Sequence, residues 1–103
     1  MQHYIITYFG GEHPNTPELQ QAHFAKYQAW LAQLGDAAVN PMVPYKNTHV
    51  VGADGQVSAG SQTAMMGHTV IAAESMEQAL EHAKSCPFLD INGTLEVAEL
   101  AQM

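Results

Sequence analysis

The side chain best placed to do chemistry is His23, in the stretch QQAHFAKYQAW at residues 20–30. At 100° per residue, with Leu19 at zero, Trp30 falls at about 20°, His23 at about 40°, Leu34 at about 60° and Tyr27 at about 80°. His23 thus lies within the apolar stripe of a helix, where leucine would pack without asking for hydrogen-bond partners. An imidazole there is either a core residue bonded to a backbone carbonyl or a tyrosine such as Tyr4 or Tyr8, or the acid/base group of a pocket. The second use follows from a proton affinity already close to neutral pH.

Other reactive types are sparse. Cys86 comes directly after a helix, whereas a nucleophilic thiol prefers a helix N-terminus or a neighbouring cation, so it reads as a small buried hydrophobe. Asp36 and Asp90 could orient His23, though both follow turn signals where an aspartate commonly closes an Asx turn. The six histidines include no HxH or HxxxH pair, so no metal site and no cofactor is expected. GADG and GG lack the lysine and helix of a phosphate loop. Tyr8, Tyr27, Tyr45 and Met66 are the remaining candidates for lining a ligand pocket. Tyr45 follows Pro44, and Met66 sits in the adaptable TAMMGH segment.

These residues must be positioned by a small scaffold. The 103 residues suit one domain (1–103), and at 47% hydrophobic content they can bury a core. No apolar run approaches the roughly 20 residues that span a bilayer, and MQHYIITYFGGEH has no basic flank of a signal peptide. Together with a single cysteine, this leads us to expect a cytoplasmic protein. Three Lys plus Arg against ten Asp plus Glu give a formal charge of −7, and the lysines are dispersed. Neither nucleic acid nor an anionic membrane surface is an expected partner.

HYIITYF at residues 3–9 reads as a strand that is apolar on both faces. Thr16 and Pro17 start a helix running to Leu34, where Gly35 stops it. AAVNPMVPY, with Pro41 and Pro44, fits an edge strand or irregular extended chain. Thr48 to Val51 and a strand near Val57 form a hairpin about Asp54-Gly55. Residues 58–67 read as a loop, and HTVIAAE as another strand. Ser75 with Gln78 marks a capped helix burying Met76, Ala79, Leu80 and Ala83 and ending before Pro87. A FLDING loop precedes the alternating strand TLEVAEL. The fold class expected is α+β: a ferredoxin-like βαββαβ unit with an extra hairpin, whose antiparallel sheet carries two helices on one face. The other face would be a bare apolar patch in a monomer, so a homodimer of stacked sheets is expected.

Three segments carry a family resemblance: HYIITYFGGEHP, AHFAKYQAWLAQLGDAAVNP and IAAESMEQALEHAKSCPFLDINGTLEVAEL. Together they resemble the YCII-related family, also called the DGPF-domain family, over most of the chain. The resemblance implies a dimeric α/β barrel and a cleft holding a histidine and an aspartate. His23 matches the histidine. Cys86 occupies the position of the aspartate, and GSQTAMMG stands where the other branch has Asp-Gly-Pro-Phe. Two functional classes follow. One is a small cofactor-free enzyme using His23 as acid/base for elimination, isomerisation or hydrolysis of a small molecule. The other is a non-catalytic dimeric module that binds a small molecule. A cofactor-independent monooxygenase is a weaker third.

Overall fold

A computed structural model describes residues 1–101. Six strands and two helices follow in the order β1 (Gln2–Gly10), α1 (Pro17–Leu34), β2 (Ala38–Pro44), β3 (His49–Val51), β4 (Val57–Ala59), β5 (Met65–Ala73), α2 (Met76–Lys84) and β6 (Gly93–Glu99). Short 3-10 turns occupy Gly35–Ala37 and Pro87–Ile91. The main sheet has the order β2-β5-β1-β6, and β3-β4 form a separate hairpin. All adjacent pairs in the main sheet are antiparallel. This is the ferredoxin-like split βαβ arrangement.

Both helices start where short polar side chains can satisfy orphan backbone donors. The Thr16 side chain accepts from the Leu19 amide and the Ser75 side chain from the Gln78 amide. The box at α2 is modified, because the Gln78 side chain reaches the Glu74 amide (2.7 Å) instead of that of Ser75. Gly35 carries a positive φ of 55° at the end of α1, a conformation glycine tolerates without strain. β2 is an edge strand with register irregularities around its prolines. β5 begins at Met65, so part of the segment read as a loop is strand, entered across a bulge opposite Tyr8 and Phe9.

The core lies between the helices and one sheet face. Tyr4, Ile6 and Tyr8 of β1 and Thr69, Ile71 and Ala73 of β5 meet Tyr27, Trp30 and Leu34 of α1 and Ala79 and Ala83 of α2. The Trp30 indole donates to the His82 carbonyl at 3.0 Å and ties the helices together. Two leucines expected inside are not there: Leu19 is 55% and Leu80 42% exposed. Only the last two-thirds of α1 packs on the sheet, and its first turns overhang. Leu80 flanks the stripe covered at Ala79 and Ala83 and lines an open groove with Ala83, Leu95 and Val97.

The opposite sheet face carries Ile5, Thr7, Phe9, His68 and Val70, all only half-buried. With one helix layer on one sheet, the molecule is a plate of 43 × 42 × 18 Å. Its radius of gyration, 14.9 Å, exceeds the roughly 13 Å of a compact chain this long. The β3-β4 hairpin contributes to this extension, its Val51 and Val57 about two-thirds exposed. Among the described residues, no helix is long and apolar enough to cross a membrane.

Candidate functional site

The overhang of α1 creates a cleft. Three pieces of chain wall it: the loop after β1, the first turns of α1, and Pro87–Ile91. The loop is held to the 3-10 turn by the Glu12 amide, which donates to the Ile91 carbonyl at 2.6 Å. It is held to α1 by the Gln20 side chain, which donates to the Pro14 carbonyl at 3.2 Å. Phe88 forms the floor. It stacks on Tyr8, with centroids 4.9 Å apart, and two glycines make room for it. A Cβ on Gly11 would come within 3.0 Å of the Phe88 ring, and one on Gly93 would overlap that ring.

His23 stands at the junction of two cavities of about 240 Å³ each. The first is partly polar, with Glu12, Lys26 and Asp90 beside it. The second is walled by Phe24, Tyr27, Met42, Phe88 and Ile91, with His13 as the other imidazole. The His23 ring meets the Tyr27 ring edge-on, centroids 4.9 Å apart. Among the described residues it makes no hydrogen bond to the protein, so the carbonyl or tyrosine partner of a structural histidine is not in place. Burial, then the positive charge of Lys26, holds its pKa below the ordinary histidine value, while Asp90 pulls the other way. The balance of these effects favours the neutral form of the ring.

The two aspartates separate clearly. Asp36 lies beyond the far end of α1, roughly 20 Å along it at 1.5 Å per residue, and lines neither cavity. Asp90 borders the first cavity and pairs with Lys26 at 3.5 Å. Both partners are more than half exposed, so this pair stabilises the fold by about 0–1 kcal/mol at most.

Of the expected lining residues, only Tyr27 borders the cleft together with His23. Tyr8 lies beneath it, fully buried, and its hydroxyl hydrogen-bonds to that of Thr69. Thr69 donates onward to the Pro41 carbonyl at 2.6 Å, which leaves Tyr8 as the donor of the pair. Tyr45 and Met66 are elsewhere. The Tyr45 hydroxyl bonds Nδ1 of His68 at 2.6 Å, on the face away from the helices, and Met66 packs on the core from β5. Cys86 is buried beside Tyr8 and Tyr27, and burial pushes its thiol pKa up. The Tyr27 hydroxyl, in the same buried cluster beside Cys86 and Tyr8, meets no partner in full hydrogen-bond geometry among the described residues.

Sequence reasoning missed His13, Phe24, Met42 and Phe88. A signal existed for His13: it lies in the GGEHPN loop that joins the first strand to the helix bearing His23. Among the described residues, no cluster of three His, Cys, Asp or Glu could hold a metal ion.

No family profile matches this chain, and no curated protein does. Among solved structures it is similar to 5-chloro-2-hydroxyhydroquinone dehydrochlorinase (TftG) from Burkholderia phenoliruptrix AC1100, in complex with 2,5-dihydroxybenzoquinone. The TM-score is 0.59 at 14% identity, over 98% of this chain and 95% of that one. This likeness concerns the fold alone, an antiparallel sheet with two helices on one face.

Proposed function

We propose that this chain is a YCII-related, dimeric α/β barrel protein that works as a small cofactor-free enzyme, with His23 as acid/base on a small molecule in the cleft. The observation that carries the reading is the position of His23, where two cavities meet, with no hydrogen bond from its ring to any described residue. Apolar walls with a few convergent polar groups are the usual make-up of a small-molecule site. The described cleft lining contains no serine, threonine or cysteine, so proton transfer suits it better than covalent catalysis. The named activity of TftG, a dehydrochlorinase, is also a reaction on a small molecule. Cytoplasmic location and self-association through the bare sheet face belong to the same proposal.

The test is a crystallographic soak with a library of small ring compounds and weak acids. Binders should collect in the cleft in contact with the His23 ring. Binders that occupy only other surfaces would overturn the reading. A cleft that binds compounds without converting any of them would identify the second class, a binding module.

A further inference from the structure

The sheet order β2-β5-β1-β6 leaves one side of β6 without a neighbour. The pairing register tells which of its backbone groups face that open side. The Leu100 amide donates to the His3 carbonyl of β1 at 2.8 Å. Backbone groups alternate in direction along a strand, so Thr94, Glu96 and Ala98 face β1 as well. Leu95 and Val97 therefore turn their amides and carbonyls outward, and among the described residues these groups have no hydrogen-bond partner. Their side chains share the helix side of the sheet with their cross-strand partners Tyr8 and Ile6. There they meet Leu80 and Ala83 of α2 and Leu89 of the 3-10 turn in an open groove of about 380 Å³. Leu80 and Leu89 are both exposed, and no residue of this groove lines the cleft that holds His23.

An apolar groove beside a row of unpaired strand groups can be satisfied only by an occupant that brings two things. It needs backbone donors and acceptors at strand spacing, and apolar side chains at alternate positions. A lipid or an apolar small molecule brings the second and leaves the first to water, whereas an extended peptide brings both. Charge narrows the choice further. β6 carries Glu96 on the face away from the helices and Glu99 on the groove side beyond Val97, and it has no cation. Lys84, beside the groove, is already paired with Glu81 at 3.0 Å. A second copy of β6 would bring Glu96 and Glu99 of both chains onto one edge without counter-charges, on a chain of formal charge −7.

We propose that the groove between α2 and β6 docks an extended segment of another protein that alternates apolar and basic residues, bound as a further strand on β6. Its apolar side chains enter the groove over Leu95 and Val97, between Leu80 and Leu89. The basic side chain between them lies across from Glu96. The groove opens on the helix side of the sheet, so a copy stacked on the bare face leaves it free. This site and the role of His23 stand or fall independently.

The probe is a short fluorescent peptide alternating valine and lysine. One control carries glutamate in place of lysine, and another is N-methylated on its valines, which removes the donors that would face β6. Fluorescence anisotropy should show saturable binding of the lysine peptide and none of the N-methylated one. Amide hydrogen exchange at Leu95 and Val97, fast in the free protein, should slow in the complex. Glu96→Lys, at an exposed position, should weaken the lysine peptide and strengthen the glutamate peptide by about fivefold each, the size of a cross-strand charge pair. Leu80→Gln, also exposed, should weaken the lysine peptide while keeping the wild-type Tm. Absence of binding overturns the site. Binding that survives N-methylation, or leaves exchange at Leu95 and Val97 unchanged, is general charge attraction and overturns it too. A wild-type preference for the glutamate peptide overturns the partner's charge. Exchange at these amides that slows with protein concentration alone assigns the edge to a second copy instead.

Discussion

His23 sits edge-on to Tyr27, one helical turn away, with ring centroids 4.9 Å apart and planes at 89°. That contact orients the ring without using either nitrogen, which is the condition a proton-transfer group needs. Replacing a half-exposed ring that has no protein hydrogen bond leaves no partner stranded. His23→Ala should therefore change stability by less than about 1 kcal/mol in urea unfolding. A loss of several kcal/mol would make His23 structural.

The same residue sets a pH dependence. Its pKa is lowered in the folded protein, chiefly by burial, so protonation favours the unfolded chain. Above the unfolded value of about 6.5 the ring is neutral in both states and has no effect. As pH falls from that value through the folded one, the unfolded chain binds the proton first and stability drops. Between about pH 7 and 5 the wild type should lose more stability than His23→Gln, as measured by parallel denaturation curves. Identical curves would mean that the ring is no more buried than in a peptide.

Two neighbouring tyrosines should respond oppositely to loss of a hydroxyl. Tyr8 donates to Thr69, which donates to Pro41, so Tyr8→Phe leaves the Thr69 oxygen without its donor and should cost roughly 0.5–1.5 kcal/mol. The Tyr27 hydroxyl is buried beside Cys86 and Tyr8 but meets no partner in full hydrogen-bond geometry among the described residues, so Tyr27→Phe gives up little and should be neutral or stabilising. Equal destabilisation by both would show that Tyr27 has a partner in solution, such as a bound water.

The contrast between scaffold and cleft shows what a sequence can carry. Thr16, Pro17 and Gly35 announced α1 because capping is chemistry local to a few residues, and Ser75 did the same for α2. The 3.6-residue periodicity placed Tyr27, Trp30 and Leu34 inside, and they are. Periodicity cannot report where the opposing layer ends, however, so it counted Leu19 as covered when it overhangs. The start of β5 at Met65 depends on pairing with β1 across a bulge, a long-range contact with no local mark. His13 has no periodicity either. It reaches the cleft because the Glu12 amide is tied to Ile91, 79 residues away in the chain.

Gly93 is a steric necessity. A side chain there would occupy the volume of the Phe88 ring, which is buried and stacked on Tyr8. Gly93→Ala must displace that ring and should cost about 1–3 kcal/mol, the usual penalty for overpacking. It should also alter the cleft floor, visible as a change in near-ultraviolet circular dichroism. An unchanged spectrum and stability would show that Phe88 has room to move.

The final prediction concerns the uncovered sheet face. Antiparallel sheets commonly leave one face to water, but then that face alternates to polar residues. Here Ile5, Phe9 and Val70 share it with Thr7 and His68. The plate is only 18 Å thick, so no second layer of this chain covers these side chains. A second copy stacked on the face would bury them, because two sheets pack about 10 Å apart with side chains interdigitated. The protein should therefore have twice the monomer mass by light scattering at micromolar concentration. Val70→Lys, which places a charge at the centre of the face opposite Ile5, should shift it towards monomer while retaining the far-ultraviolet spectrum of the fold, since that side chain points away from the helices. A wild-type protein that stays monomeric and well folded at this concentration would rule out the stacked-sheet dimer.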